Sequence, residues 1–546
     1  VSSAPATPDV TEGDNAPAPD SGSDAGQTRP LPPVLGRLLS GTFWLALRTP
    51  LQVIFAFWSI PLILEYGGEP VFGAFGFAWG FGFLQFLLEF GMSSALNREI
   101  SERWTRGDRA GVDRMIATGM RFYAAMAVLQ AVVLLAIAAF GVPAEFTGDQ
   151  RALIMRLLWL QALTAPCFGL GTVVSSVLQA ARRYDFIPKY ELAIVVLRFL
   201  ALWGGLKMGL DFFTIVAIQT FITVGLSLGP AVLVMRSQLG LSLHFRGATT
   251  ADIRSLTHIS LYMFIMQLSV VLADRIDTTI LGYALDAPAQ AISLYQTISK
   301  PFSQIRQIGW MLAYLVMPAV ASLAAVNDQA ALTRIKYDGN RLMVAVLLPV
   351  ALLAWIDARP FLAAWVPQYA DQAWYLQLFL LATIPLVLAV PVQMAIGLGK
   401  IRVIALAALG GSLVNLPLSY IWTKTSGDIS GVIWGTVLTT LISNFLIPGL
   451  YCGKVLDISP GNYLRRTLGP PLVAGVCLIA AASLTRGIVA PAALDGLPRI
   501  ERVVPLALHL SLGMLAYLAG YTLTSTGRAD LLALADRVRR KRSAHA

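Results

Sequence analysis

Apolar runs of about twenty residues recur along most of the chain, and no other feature restricts its fold as strongly. A helix of that length rises about 30 Å, the thickness of a bilayer's hydrocarbon core. Inside that core the backbone finds no water, so a spanning segment has to satisfy its own N–H and C=O groups, as a helix does. Hydropathy places about fourteen spans, near residues 42–64, 71–96, 115–140, 153–180, 187–208, 212–235, 256–283, 288–325, 338–357, 372–397, 401–422, 429–451, 468–486 and 503–524. Composition agrees: 56% of residues are hydrophobic, 13% are charged, and mean hydropathy is +0.66. A soluble domain carries about 25% charged residues, so this chain has too little polar surface to cover itself. An all-α polytopic membrane protein is expected.

The net charge of +10 does not point to nucleic acid, because of where the charges sit. One set of connections holds "NREISERWTRGDRAGVDR", "ARRYDFIPK", Arg236, Arg246, Arg254, Arg334, Lys336, Arg341, Lys400, Arg402, Lys454, Arg465, Arg466 and the tail "DRVRRKRSAHA". The alternate set holds "EYGGEP", "AEFTGDQ", "ALDAP" and "SGD". The Lys/Arg excess is roughly four to one, which by the positive-inside rule places the basic connections and both termini in the cytoplasm of a multi-pass cell-membrane protein. Residues 1–35, rich in Pro, Ala, Asp, Ser and Gly and lacking an apolar h-region, read as a disordered cytoplasmic tail, not a signal peptide. Cys167, Cys452 and Cys477 have no paired spacing and read as small buried hydrophobes.

The chain also repeats itself, at an offset of about 217–220 residues. "ILEYGGEP" (63–70) aligns with "ILGYALDAP" (280–288), and "RGDRAGVDR" (106–114) with "VNDQAALTR" (326–334). Gly119 and Arg121 fall on Gly339 and Arg341, "LQAARRY" on "GLGKIRV", and Gly229-Pro230 on Ile447-Pro448. The offset spans six helices, an even number, so the two copies share one orientation. The expected architecture is two six-helix lobes related by a parallel pseudo-two-fold axis, 36–255 and 256–466. Two C-terminal helices (467–527) and a basic cytoplasmic tail (528–546) follow. The site of such a transporter lies between its lobes.

Several motifs carry a family resemblance. "FGMSSALNREISERWTRGD" and "VLQAARRYDFIPKYELAIVVLR" in the first lobe resemble the Wzx-type polysaccharide flippases of the MOP exporter superfamily. So do "ADRIDTTILGY", "YLVMPAVASLAAVND" and "MAIGLGKIRVIALAALGGSLVN" in the second. The resemblance covers residues 40–525. It implies a flippase that moves undecaprenyl-pyrophosphate-linked oligosaccharide, a precursor of exported polysaccharide, from the inner to the outer leaflet. The implied partners are that lipid-linked oligosaccharide, membrane lipids and other polysaccharide-assembly proteins. It brings no catalytic signature, and no cofactor or metal site is expected.

A charge at mid-bilayer costs at least about 2.5–3.5 kcal/mol, so those that remain usually face a bundle interior or a wet cavity. The candidates are Arg48, Glu89, Arg156, Arg198, Asp274, Arg275, Asp277, Lys300 and Arg306. Arg48 and Arg156 lie near helix ends, within snorkelling reach of a headgroup. Arg198 and Lys300 lie halfway along their spans. Gln296, Lys300, Gln304 and Gln307 recur at helical spacing and read as one polar stripe, a cavity wall, with Pro301 expected to bend the helix there. Arg198, Lys300, Arg306, Gln296, Gln304 and Arg48 are therefore the candidate substrate-binding residues. Asp274, Arg275, Asp277 and Glu89 are candidates for a gate or ion coupling, and the "DRID" charges belong to the second repeat alone, since Phe57, Trp58 and Ile60 stand opposite them.

A lipid II flippase would need the same cationic cavity. A cation-coupled multidrug antiporter of the superfamily would need acidic residues, of which the first lobe offers Glu89 and Glu191. A membrane enzyme of polysaccharide assembly fits least: the external connections are short, no Asp-x-Asp motif lies in a soluble segment, and the four histidines do not cluster in sequence.

Overall fold

The computed structural model describes residues 33–181, 186–249, 276–489 and 498–543, with Asp252, Leu256, Phe264, Leu268, Ser269, Val271 and Leu272 between them. Most of the N-terminal tail, and Asp274 and Arg275 of the proposed gate, lie outside the described residues. Among the described residues the regular structure is entirely helical. In chain order the helices are α1 (Pro33–Gly80), α2 (Phe83–Leu88), α3 (Met92–Thr105), α4 (Arg109–Gly141), α5 (Gly148–Ala180), α6 (Phe186–Lys207) and α7 (Phe212–Leu239). The second repeat continues with α8 (Asp277–Ala284), α9 (Pro288–Ala325), α10 (Gln329–Ile356), α11 (Ala358–Trp365), α12 (Pro367–Gly397), α13 (Arg402–Ser426) and α14 (Ser430–Val455). Then come α15 (Pro460–Leu484), α16 (Arg499–Leu523) and α17 (Ser525–Ser543).

Eleven helical runs in the described residues are long and apolar enough to cross a bilayer. One of them, Leu47–Leu88, has 42 residues, about twice a crossing at roughly 1.5 Å per residue. Gly68, at φ 70° and ψ 178°, breaks it into the first two expected spans with a backbone that favours glycine. The second of these is interrupted again, after Gly80 and after Leu88. Helix α6 has the length of a span, but Glu191, Arg198 and Lys207 lower its hydropathy. The seventh expected span is described only in part and ends in α8. With those allowances the fourteen expected spans account for every run.

The repeat is visible in local geometry as well as in letters. Asp108 caps α4 by accepting from Gly111 N (2.8 Å), at φ −75°, ψ 78°. Asp328, at φ −77°, ψ 80°, caps α10 by accepting from Ala331 N (2.9 Å). The residue before each has positive φ, Gly107 at 75° and Asn327 at 55°. Each cap satisfies one of the backbone donors that a helix start leaves unpaired. The next aligned pair also does matching work. Arg121 donates to Phe245 O (2.6 Å) in the chain that follows α7, and Arg341 donates to Arg466 O (3.1 Å) in the first turns of α15, which follows α14. Arg341, 3% exposed, adds a two-pronged pair with Asp530 of α17 at 2.8 and 2.7 Å.

The connection between the repeats is strapped to the first. Asp252 pairs with Arg103 (3.2 Å) and Arg114 (3.8 Å) and accepts from Thr249, while Arg109 donates to Leu239 O (2.7 Å). Burial works against the Asp252 carboxylate, but the Thr249 bonds and the two guanidinium groups hold its pKa below the usual range. The appended helices dock on α10, where Leu353, Ala474, Leu478, Tyr517 and Tyr521 form a separate apolar core.

Candidate functional site

The two repeats meet most tightly at the end away from the basic connections. Gly73 and Gly76 bring the second part of α1 against α9: a Cβ on Gly73 would fall 1.8 Å from Ala289 O, and one on Gly76 2.1 Å from Gln296 Nε2. Nearby, Tyr283 donates to Gly141 O (2.6 Å), and Trp365 Nε1 donates to Phe57 O (2.7 Å) with the two rings 4.8 Å apart. Tyr369 bonds Ser293 (2.8 Å) and faces Glu69 of α1. Towards the basic end α9 is uncovered instead, with Gln307, Ile308, Met311, Tyr314 and Leu315 all exposed. These contacts between the repeats gather at one end, while Phe90 and Phe264, 4.7 Å apart, join them again nearer the basic end, beside the exposed stretch of α9.

The polar stripe of α9 runs from the closed contact towards the exposed stretch. Gln296, half-buried, packs its amide against Gly76 in the closed contact. Lys300 and Gln304 follow at one-turn intervals and are half-buried. The same register sets Lys300 level with the break between α1 and α2. Arg306 is also half-buried, its guanidinium 5.2 Å from the Phe302 ring centre. Pro301 stays within the helix and is buried.

The second charged seam joins α1 to α6. Arg48, expected to reach for a headgroup, instead forms an ion pair with Glu191, the two side chains 23% and 37% exposed. Two turns farther along α6 the Phe55 and Phe199 rings stack at 4.3 Å, which fixes the register of the two helices. Arg198 lies seven residues beyond Glu191, almost on the same face, about 10 Å deeper along the helix axis. Arg198 is exposed, and among the described residues its guanidinium has no hydrogen bond or ion pair; only its backbone O is engaged, accepting from Gln219 (2.8 Å). Arg198 does not contact Lys300 or Arg306 directly.

The acidic candidates are placed elsewhere. Asp277, 3% exposed, accepts from Tyr295 and from Thr436 (3.5 Å), both in the second repeat. Glu89 accepts from Tyr123 (3.3 Å) and lines a cavity of about 30 Å³ inside the first repeat with Gln85, Gln130 and Thr172. Arg156 is exposed at the far end, within the field of Asp211, whose carboxyl the Thr214 bonds hold below the usual range.

Two polar clusters had no local sign in the sequence. Buried His509 of α16 faces Asp357 (Nε2 to Oδ1, 3.1 Å) and Thr485 (2.9 Å), joining both appended helices to the end of α10. The other cluster is the Arg341 clamp. Its first signal was Arg121, since aligned residues of a repeat inherit one role. A cavity of about 310 Å³ between α9, α10 and α12, lined by Ile305, Leu347, Leu352, Trp355, Ile384 and neighbours, is apolar apart from Thr383. Among the described residues no group of three or more His, Cys, Asp or Glu is placed to hold a metal.

By sequence, no family model and no curated protein matches the chain. Solved structures match its fold. The lipid II flippase MurJ in an inward closed conformation aligns with a TM-score of 0.65, over 90% of this chain and 98% of its own, at 14% identity. An inward-facing multidrug resistance MATE family transporter of the MOP superfamily gives 0.61, over 75% and 96%, at 12% identity. A variant of the Vibrio cholerae MATE transporter VcmN gives 0.53, over 78% and 98%, at 18% identity. The chain has the fold of MOP-superfamily transporters.

Proposed function

We propose that this chain, on the fold shared by MATE transporters and a lipid II flippase, flips polyprenyl-pyrophosphate-linked oligosaccharide between leaflets by alternating access. The basic end is the cytoplasmic one, so a cleft between the repeats opens there to the leaflet where such precursors are made. A diphosphate carries several charges and cannot cross hydrocarbon unaided. Guanidinium groups bind phosphate oxygens through paired N–H bonds, and an ammonium adds a point charge. In this reading Arg48 and Arg198 on one wall and Lys300 and Arg306 on the other hold the head group, while the polyprenyl tail trails into the bilayer. Rocking of the repeats then breaks the Gly73–Ala289 and Phe57–Trp365 contacts and opens the opposite end. Glu89 and the "DRID" charges are assigned to gating or coupling.

The observation that carries the reading is Arg198: a guanidinium without a hydrogen bond or ion pair among the described residues, halfway along a helix of membrane length. The shared fold with the lipid II flippase MurJ, over 90% of the chain, is compatible with a lipid-linked substrate. The Glu89 cavity favours a second reading, a cation-coupled drug antiporter. Complementation separates the two. In a strain lacking its own oligosaccharide flippase, the chain should clear the accumulated lipid-linked sugar, and Arg198→Ala should not. Drug resistance with the sugar still accumulated would overturn the proposal.

A further inference from the structure

We propose that Glu191 is a built-in stand-in for the substrate's phosphate, occupying Arg48 at the mouth of the cleft until the incoming anion displaces it. This rests on the anion-path reading of the cleft. A carboxylate in a cavity meant for a diphosphate is a contradiction unless its charge is already used, and Glu191 is paired with Arg48. The pair is only half made. Arg48 Nε is buried without a hydrogen-bond partner, so the guanidinium keeps a donor that one carboxylate does not satisfy. A diphosphate, with more acceptor oxygens than a carboxylate, can engage both edges of that fork.

The arrangement also explains why the carboxylate is on α6 and not deeper. Glu191 lies five residues into α6 and Arg198 twelve, so an anion from the cytoplasm meets the paired arginine first. Arg198 is about 10 Å farther in along the helix axis. The two positions are stations used in turn. At the first, Glu191 sets the affinity by competition and restores a neutral pair once the anion has moved on to Arg198. Arg48 is thereby never left as an uncompensated charge at membrane depth, which would be costly. The stacked Phe55–Phe199 pair holds Arg48 within reach throughout.

The test is titration calorimetry on the purified full-length protein with inorganic pyrophosphate and with farnesyl pyrophosphate. Glu191→Gln keeps the shape but removes the competing charge, and should tighten binding of both probes about tenfold. Glu191→Asp keeps the charge and should not. The double variant Glu191→Gln/Arg48→Ala should bind no more tightly than Arg48→Ala alone, which localises the gain to the pair. A folded Glu191→Gln protein that binds no more tightly than the parent overturns this inference while leaving the anion path intact. If Arg48→Ala and Arg198→Ala both leave pyrophosphate binding unchanged, the anion path itself is wrong.

Discussion

Replacing Gly73 by alanine should drive the molecule out of the state described above. The added Cβ would sit 1.8 Å from Ala289 O, 2.5 Å from its carbonyl carbon and 2.7 Å from its Cα. All three are backbone atoms of α9, so no rotamer relieves the clash. Moving from 1.8 Å to the 3.0 Å that real contacts respect separates α1 from α9 by roughly 1.2 Å. Overpacking of this kind costs about 1–3 kcal/mol, and the cost applies only while the two helices touch. The balance between closed and open contact should therefore shift about 5- to 150-fold. Gly76 provides the comparison. Its Cβ meets the Gln296 amide at 2.1 Å and the Ile292 side chain at 2.8 Å, atoms that can turn aside, so Gly76→Ala should shift the balance less. Spin labels at exposed Glu145 and Asp371, one on each repeat at the closed end, report the separation by pulsed double resonance. Cys167, Cys452 and Cys477 are first replaced in that experiment. A distance distribution unchanged by Gly73→Ala, or moved further by Gly76→Ala, would refute the reasoning.

Three other outcomes follow from the geometry. Asp108→Ala and Asp328→Ala should each cost about 1 kcal/mol and speed amide exchange at the start of α4 and α10 respectively, by similar factors, because the two caps are alike. Arg341→Met strands Asp530 and should cost about 3 kcal/mol, freeing α17 to limited proteolysis; adding Asp530→Leu should restore most of that protection. Asp252, with its pKa lowered in the folded protein, stabilises the strap fully above the ordinary carboxylate pKa. That contribution fades as pH falls through the depressed folded value, so the protection of the 240–249 amides, taken relative to their intrinsic exchange rate at each pH, should drop only in acid, and a drop towards alkaline pH would contradict the assignment.

Span number and order were legible because hydropathy over twenty residues depends on the solvent, not on partners. The repeat was legible because "RGD" and "VND" encode the same positive-φ residue and the same aspartate cap. Pairings were not. Arg48 and Glu191 are 143 residues apart, and nothing near Arg48 distinguishes a paired arginine from a snorkelling one. His509 meets Asp357 and Thr485 only when the ends of α10 and α15 converge on the middle of α16. The contact of Gln296 with Gly76 was not legible for another reason: helical spacing gives the face a side chain occupies, not what approaches that face. The sign that was passed over lay in the other repeat, in "VFGAFGFAWG", whose glycines at 73, 76 and 80 let a neighbouring backbone come close.

The most direct measurement is leaflet translocation in proteoliposomes carrying the purified chain and a fluorescent polyprenyl-pyrophosphate sugar, with outer-leaflet label destroyed at timed intervals. The account predicts translocation well above protein-free vesicles. It also predicts loss in Arg198→Ala and Lys300→Ala, with partial recovery in Arg198→Lys. Translocation at the protein-free rate, or an unchanged rate in both alanine variants, would contradict it.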